Sequence, residues 1–530
     1  MPRRLRAAHG PLMFHQSGGR CDAAAPPPRG PGRGGGRGAG DLLDLAQQVR
    51  SQYEVWSHAR LIVDVVESRG SGFSPETPEG VRFLTRSRGV GAWTSRRSRS
   101  SGALPLSPAT VDETSGGTVT RRQRRFAAGG NVLTLLAALG TLAGAALVGA
   151  APAGAVPERT ALPPGVAYEE FDLPAAGGVA HAHVLSVDLR DPRVRLDLLY
   201  PGAVAARSPV SRMADAAGAV AGVNGDFFNI TETQHPGVEA TGATVGPAIA
   251  KGRVLKAAVP TGQRFGPALP PGTGTEDVIG VGVDRRARLD TLALDGSIRT
   301  PEGRLPLGGL NQYALPEGSI GAFTSDWGSV SRVRATCGTD DDRAAGCSTD
   351  TYEVTVRHHR VVAVSDTPGS GPVTAGTTVL VGREAGARRL RKFFVGEPVT
   401  VRHRLVASTT RIPYRFALGG YPLLRGGRPL PGLDDRTSAV RTAVGVADGG
   451  RRLLLLALDG APEYRTGLTI AEVADAMRTL GSVDAFSLDG GGSTALVARE
   501  PGASAVTVRN HPSGGAERPV PNGIGIFTTP

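Results

Sequence analysis

Three apolar runs in this 530-residue chain end on polar residues in the same way. Val220-Ala221-Gly222-Val223 leads into Asn224-Gly225-Asp226-Phe227-Phe228-Asn229, Leu453 to Leu458 leads into Asp459-Gly460, and Phe486-Ser487-Leu488 leads into Asp489-Gly490. Side chains presented just past buried strands are firmly held yet face solvent, which suits carboxylates that move protons or attack a substrate. Turn formation is the competing reading, because Asn-Gly and Asp-Gly are strong turn dipeptides. Around Asp489 the pattern exceeds what a turn needs. Gly490, Gly491 and Gly492 allow backbone N–H groups to converge on an anion, and the hydroxyls of Ser493 and Thr494 add donors. A flexible linker would not sit between a buried strand and the apolar run Ala495-Leu496-Val497, and the Gly-x4-Gly-Lys spacing of a nucleotide loop is absent. Arg441-Thr442 opens a further strand after Asp434-Asp435-Arg436, and an arginine fork suits phosphate or carboxylate; a surface arginine is the plain alternative.

The elements that must position these residues read mainly as strands. From Pro157 onward, short apolar runs alternate with Gly, Pro and Asp. Strands are expected at 180–188, 194–199, 219–223, 352–358, 360–364, 378–381, 398–404, 442–447, 452–458, 485–488 and 524–527. One clear helix is expected over 469–480: Ile470, Val473, Ala474, Met477 and Leu480 recur at helical spacing, Thr469 and Glu472 form a capping box, and Gly481 ends the run. A weaker helix is expected at 211–217. The fold class is therefore α+β, a strand-rich mixed-sheet domain with few helices, and residues 255–400 read as an elaborated β region within it.

Composition separates this domain from what precedes it. The net charge of +12 would suggest a nucleic-acid partner, but residues 1–155 carry 20 Arg, no Lys and 10 acidic residues. The remainder holds 40 basic and 38 acidic residues, with no basic stripe interleaved with aromatics, so nucleic-acid binding is not expected. Residues 1–118 are rich in Arg, Gly, Pro and Ser and are expected to be disordered. Arg121-Arg122-Gln123-Arg124-Arg125, the apolar run Val132–Ala150 and Ala153-Gly154-Ala155 have the order of a secretory signal; a membrane anchor is the alternative for 119–155, and the chain's sole route to a membrane. Because signals are read from the N-terminus, Met1 is expected to be a mis-called start, with translation beginning just before Arg121. Beyond the signal only Cys337 and Cys347 remain, and in an exported domain they are expected to form one disulfide.

Several blocks together carry a family resemblance: Gly222-Val223-Asn224-Gly225-Asp226-Phe227-Phe228, Ala417-Leu418-Gly419-Gly420-Tyr421-Pro422-Leu423, Arg441-Thr442-Ala443-Val444-Gly445, Leu458-Asp459-Gly460, Gly467-Leu468-Thr469 with Glu472, Leu488 through Thr494, Asn510-His511-Pro512, and Glu517-Arg518-Pro519-Val520 before Asn522-Gly523. In this order they resemble the phosphodiester glycosidase family, whose domain occurs in the lysosomal enzyme that uncovers mannose 6-phosphate. The similarity spans about 165–528 and is strongest from Arg411 onward. Members often have Gly-Gly-[Tyr/Phe]-Phe where this chain has Gly225-Asp226-Phe227-Phe228, and an Asn where it has Ser487, so Asp226 is an added carboxylate.

The resemblance implies a catalytic domain over 160–528 that hydrolyses a sugar anomeric bond to a phosphate-bearing leaving group in a cell-surface or extracellular glycan. Such a group departs easily, so stabilising the oxocarbenium-like centre and holding phosphate matter most. Asp489 or Asp459 is expected as nucleophile or general base, with Arg441, Thr442 and Gly490–Thr494 gripping phosphate and Asn224 and Asp226 binding sugar hydroxyls or orienting the acids. Asn510 is a further candidate contact, and His511 either joins it or shapes the turn before Pro512. Glu239 is an extra acid in a Gly/Thr-rich loop, whereas the capping box accounts for Glu472. No cofactor is required by this reading; Ca²⁺ is compatible with the oxygen-rich loops, although no EF-hand-like spacing occurs. A non-catalytic wall- or exopolysaccharide-binding protein of the same fold is the rival. A wall transpeptidase or protease fits poorly, since Ser-x-x-Lys and Gly-x-Ser-x-Gly are absent.

Overall fold

A computed structural model describes residues 160–529, and the leader and signal expected over 1–155 lie outside the described residues. Strands predominate, as the sequence pattern requires, and they form four sheets. The first has eight strands, in the order 160–161, 166–175, 178–188, 452–458, 442–447, 484–487, 421–425 and 428–429. At its centre, Leu453 to Leu458 are all buried between antiparallel neighbours, which explains why this strand reads as an unbroken apolar run rather than an alternating one. The second sheet has five strands, in the order 507–508, 496–498, 221–224, 523–528 and 194–199.

The residues expected to be elaborated, 255–400, contribute to two further sheets. A seven-stranded sheet joins 303–306, 287–300, 277–282, 414–419, 248–250 and 253–256, with 400–407 paired to the long strand 287–300. A separate five-stranded sheet is built wholly from 309–383. The strands at 166–175, 277–282, 287–300 and 414–419 were not foreseen, because Glu, Asp, Arg and Gly interrupt their alternation and pairing partners supply the order that local pattern lacks.

The helix Ile470–Thr479 forms as expected. Thr469 accepts from the Glu472 N–H at 3.1 Å and the Glu472 carboxylate accepts from the Thr469 N–H at 2.7 Å, completing the capping box. Glu472 also accepts from the Ala176 N–H at 2.6 Å, tying the helix to the hairpin turn of the first sheet. Ile470, Val473, Ala474 and Met477 are buried, each worth about 1.5–3 kcal/mol for the larger side chains. The second helix covers Val210–Ala217 and ends on Gly218 at φ +74°, a left-handed position suited to glycine. Cys337 and Cys347 form the expected disulfide.

Chain crossings between sheets determine where polar residues gather. Residues 488–495 leave the first sheet and enter the second. Strand 414–419 of the seven-stranded sheet passes through Gly420, at φ +153°, into strand 421–425 of the first. A Cβ at Gly420 would collide with the Ser487 carbonyl oxygen, so this crossing needs glycine.

Candidate active site

Asn224, at the end of its strand, is wholly buried and joins the strand ends. Its Nδ2 donates to the Asp489 carbonyl at 2.7 Å, while its Oδ1 accepts from the Thr442 hydroxyl at 2.8 Å and the Ala495 N–H at 3.1 Å. The Asp489 N–H donates to the Gly225 carbonyl at 2.9 Å, and Thr442 Oγ1 lies 3.2 Å from Thr494 Oγ1. Asn510 is likewise enclosed, accepting from the Leu496 N–H at 2.8 Å and donating to the Thr494 carbonyl at 3.1 Å. The structure thus brings Asn224, Thr442, Asp489, Thr494 and Asn510 into one network. In it, both amides, Thr442 and Thr494 hold loops together, and amides buried in this way are out of reach of a sugar hydroxyl.

Asp489 differs from them in keeping part of its surface exposed. Burial pushes its carboxyl up to about 6, against the opposing pull of the Ser493 hydroxyl, the Arg518 guanidinium and the Gly490 N–H. The Gly490 N–H donates to its Oδ1 at 3.0 Å. Arg518 donates to Ser493 Oγ at 3.2 Å and lies over the turn so closely that a Cβ on Gly492 would collide with its guanidinium. The N–H groups of Gly491, Ser493 and Thr494 donate to carbonyls of Val440, Gly490 and Gly491. With those donors engaged inside the protein, the cationic side chain, rather than the whole backbone turn, faces an incoming anion.

Asp226 sits behind the turn and is only 2% exposed. Its N–H donates to Asn522 Oδ1 at 2.9 Å and its Oδ2 accepts from the Gly246 N–H at 2.7 Å, while Oδ1 is buried without a hydrogen bond. Burial pushes this carboxyl well above the usual range, opposed by Lys256 and Arg264 and reinforced by Asp489. Lys256 is fully buried and donates to the carbonyls of Val245, Gly246 and Ala257; burial pulls its ammonium well below the ordinary lysine value. Arg264 lies 5.3 Å from the Phe227 ring centre and 5.8 Å from that of Tyr421, two rings stacked at 5.7 Å.

Asp459 belongs to a neighbouring cluster. Its Oδ1 accepts from the Ala461 N–H at 2.8 Å and the His511 N–H at 3.3 Å, and its Oδ2 lies 2.9 Å from His511 Nδ1 and 3.5 Å from His183 Nε2. Burial acts to raise this carboxyl, but His511, the Ala461 N–H and His183 outweigh it and hold the group below the ordinary aspartate value. The same pairing raises His511, whose ring is exposed. Ser513 bridges toward the glycine turn, its hydroxyl 3.4 Å from the Gly491 carbonyl.

Arg441 is placed differently from a free anion fork. Its Nε donates to the Leu468 carbonyl at 3.1 Å and an Nη to the Thr437 carbonyl at 2.7 Å, which orders the segment leading into strand 442–447. Glu239 accepts from the Ser331 N–H at 2.8 Å in an exposed loop. Arg264, Lys256 and His183 escaped the sequence reading because no motif surrounds them. Arg518 had a signal, the Glu517-Arg518-Pro519-Val520 block, but no spacing connected it to Asp489. A cleft of about 670 Å³, lined by Thr261, Thr275, Glu276, Asp277, Asp341 and Arg425 among others, includes none of these site residues.

Comparison with known proteins bears on the family and the fold. Residues 350–527 match the family model described as Phosphodiester glycosidase, and that part of the chain carries a domain of the family. A second model, Domain of unknown function (DUF779), matches residues 1–29 and 47–88, outside the described residues. No curated protein matches the chain. Among solved structures, a hypothetical protein from Synechocystis is 20% identical with a TM-score of 0.53, covering 71% of this chain and 64% of that one. The chain therefore spans less than two thirds of the Synechocystis protein. A protein of Burkholderia pseudomallei K96243, provisionally described as exported, is 22% identical with a TM-score of 0.52, covering 67% and 76%. These two likenesses show a shared fold. The catalytic domain of zebrafish N-acetylglucosamine-1-phosphodiester alpha-N-acetylglucosaminidase, auto-inhibited by its pro-peptide, is 15% identical with a TM-score of 0.35, covering 71% and 88%.

Proposed function

We propose that this chain is an exported hydrolase that cleaves a sugar-1-phosphodiester bond in a cell-surface or extracellular glycan, within a catalytic domain spanning 160–528. The family domain and the disulfide support this reading, as does the Burkholderia protein described as exported. The observation that carries it is Asp489, a partly exposed carboxyl raised to about 6 beside Arg518 on a glycine turn. A base of that strength is mostly ionised near neutral pH yet basic enough to take a proton from water, the balance general-base catalysis requires. Arg518 holds the departing phosphate, with Arg264 supplying further positive charge. Asp459 stays ionised and opposes the positive charge that develops on the sugar ring, while buried Asp226 anchors the loops beneath.

The test is hydrolysis of a panel of sugar-1-phosphodiesters by the purified chain, with and without chelator. Turnover is expected to fall below about pH 6 as Asp489 takes up its proton, and to be lost in Asp489→Asn. Arg518→Ala is expected to raise KM by roughly 10- to 100-fold, the cost of removing one charge-assisted contact to phosphate. A trapped glycosyl-enzyme on Asp489 would overturn its role as base in favour of nucleophile. Failure to turn over any phosphodiester, with glycan binding retained, would instead establish a binding protein.

A further inference from the structure

Beside the candidate active site, the hairpin of strands 166–175 and 178–188 carries a cluster to which the hydrolase reading gives no role. His181 and His183 are two residues apart and so share one face of their strand. The antiparallel register sets Asp172 opposite His181 and Glu170 opposite His183. One ligand atom from each of Glu170, His181 and His183 lies within 4.8 Å of the others. His183 Nδ1 is 3.7 Å from Glu170 Oε2, close to the roughly 3.3 Å that separates ligands of a tetrahedral ion with bonds of about 2.0 Å.

Each imidazole also has a carboxylate on one nitrogen. Asp172 Oδ1 lies 2.7 Å from His181 Nδ1, and Asp459 Oδ2 lies 3.5 Å from His183 Nε2. A carboxylate in that position orients a ligating ring, fixes its tautomer and strengthens its other nitrogen as a donor. Tyr168 bridges the two prospective ligand atoms, its hydroxyl 2.8 Å from His183 Nδ1 and donating to Glu170 Oε2 at 2.7 Å, so an ion binding there exchanges this bridge for bonds to the metal. Access is open on one side: the Glu170 side chain is 42% exposed and His181 23%, whereas His183 is 4%.

We infer that Glu170, His181 and His183 form a binding site for one late first-row divalent metal ion of the Zn²⁺ type, backed by Asp172 and Asp459. Two imidazoles with one carboxylate and an open position suit such an ion better than Ca²⁺ or Mg²⁺, which prefer oxygen alone. The site borders the proposed hydrolase centre and shares Asp459 with it, but its ligands are other residues and its readout is metal binding rather than turnover.

The test is titration of the purified, chelator-stripped full chain with Zn²⁺ by calorimetry, and with Co²⁺ by visible absorption. One equivalent is expected to bind, with the d–d bands of a tetrahedral ion. His181→Ala, on the open side of the hairpin, is expected to abolish binding while circular dichroism and the thermal midpoint stay unchanged. Asp172→Asn is expected to weaken binding by roughly 10- to 100-fold, the usual effect of removing a carboxylate behind a ligand. Failure to bind either ion, or binding that survives both His181→Ala and Glu170→Gln unchanged, would overturn the assignment.

Discussion

Replacing Asp489 by Asn is expected to make the protein more stable at neutral pH as it removes turnover. The carboxyl is raised from its ordinary value of 3.8 to about 6. Between those values the folded chain holds a proton that the unfolded chain has released, so stability falls as pH rises through this window and is fully reduced above it. The gap corresponds to about 3 kcal/mol; because part of Asp489 still meets solvent, about 1–3 kcal/mol is the better range. Asn keeps the acceptor for the Gly490 N–H, now at 3.0 Å. The ionic attraction to Arg518 that Asn gives up is already contained in that gap, because it opposes the larger effect of burial. Denaturant unfolding of both proteins from about pH 4 to pH 8 checks the reasoning. The variant should match or fall slightly below the native chain at the acid end and exceed it at the alkaline end. A stability difference that does not change with pH would refute the claim that burial of this charge raises its pKa.

Three further outcomes bear on the scaffold. Reducing the Cys337–Cys347 bridge, or replacing both residues by Ser, should cost about 2–3 kcal/mol through the loop it closes across a sequence separation of 10, read as a lower denaturation midpoint under reducing conditions. Gly492→Ala places a methyl group against the Arg518 guanidinium, and should cost about 1–3 kcal/mol and raise KM for a phosphodiester as Arg518 is displaced. Thr469→Ala removes the hydroxyl that accepts from the Glu472 N–H, and should cost about 1 kcal/mol in thermal unfolding while leaving kcat unchanged.

The strand-rich class and several strands were legible because their residues carry their own signal. Strands 194–199, 442–447 and 452–458 are short apolar runs bounded by turn residues, and their observed limits match those expected. The helix at 470–479 was legible from the capping box and the spacing of Ile470, Val473, Ala474 and Met477. Strand 287–300 was not, because its order comes from partners far away in sequence, including 400–407. Hydrophobic period reports burial on one face; it is silent about a mixed strand stabilised mainly by its ladder.

At the candidate site, residue type and local spacing identify polar groups at strand ends but not which way they are used. Asn224 and Asn510 look like ligands for a sugar, yet long-range pairing encloses them and turns their hydrogen bonds to the Asp489, Ala495, Leu496 and Thr494 backbone. Arg441 looks like the anion fork, yet two of its nitrogens meet carbonyls of Leu468 and Thr437, while Arg518, remote in sequence, covers the glycine turn. These assignments depend on where chain crossings between sheets place each side chain relative to solvent. The rigid amides then have a consequence for chemistry: Asn224 binds the very peptide that carries Asp489, so truncating Asn224 to Ala would leave the Asp489 carbonyl, the Thr442 hydroxyl and the Ala495 N–H without their shared partner and shift the acid itself.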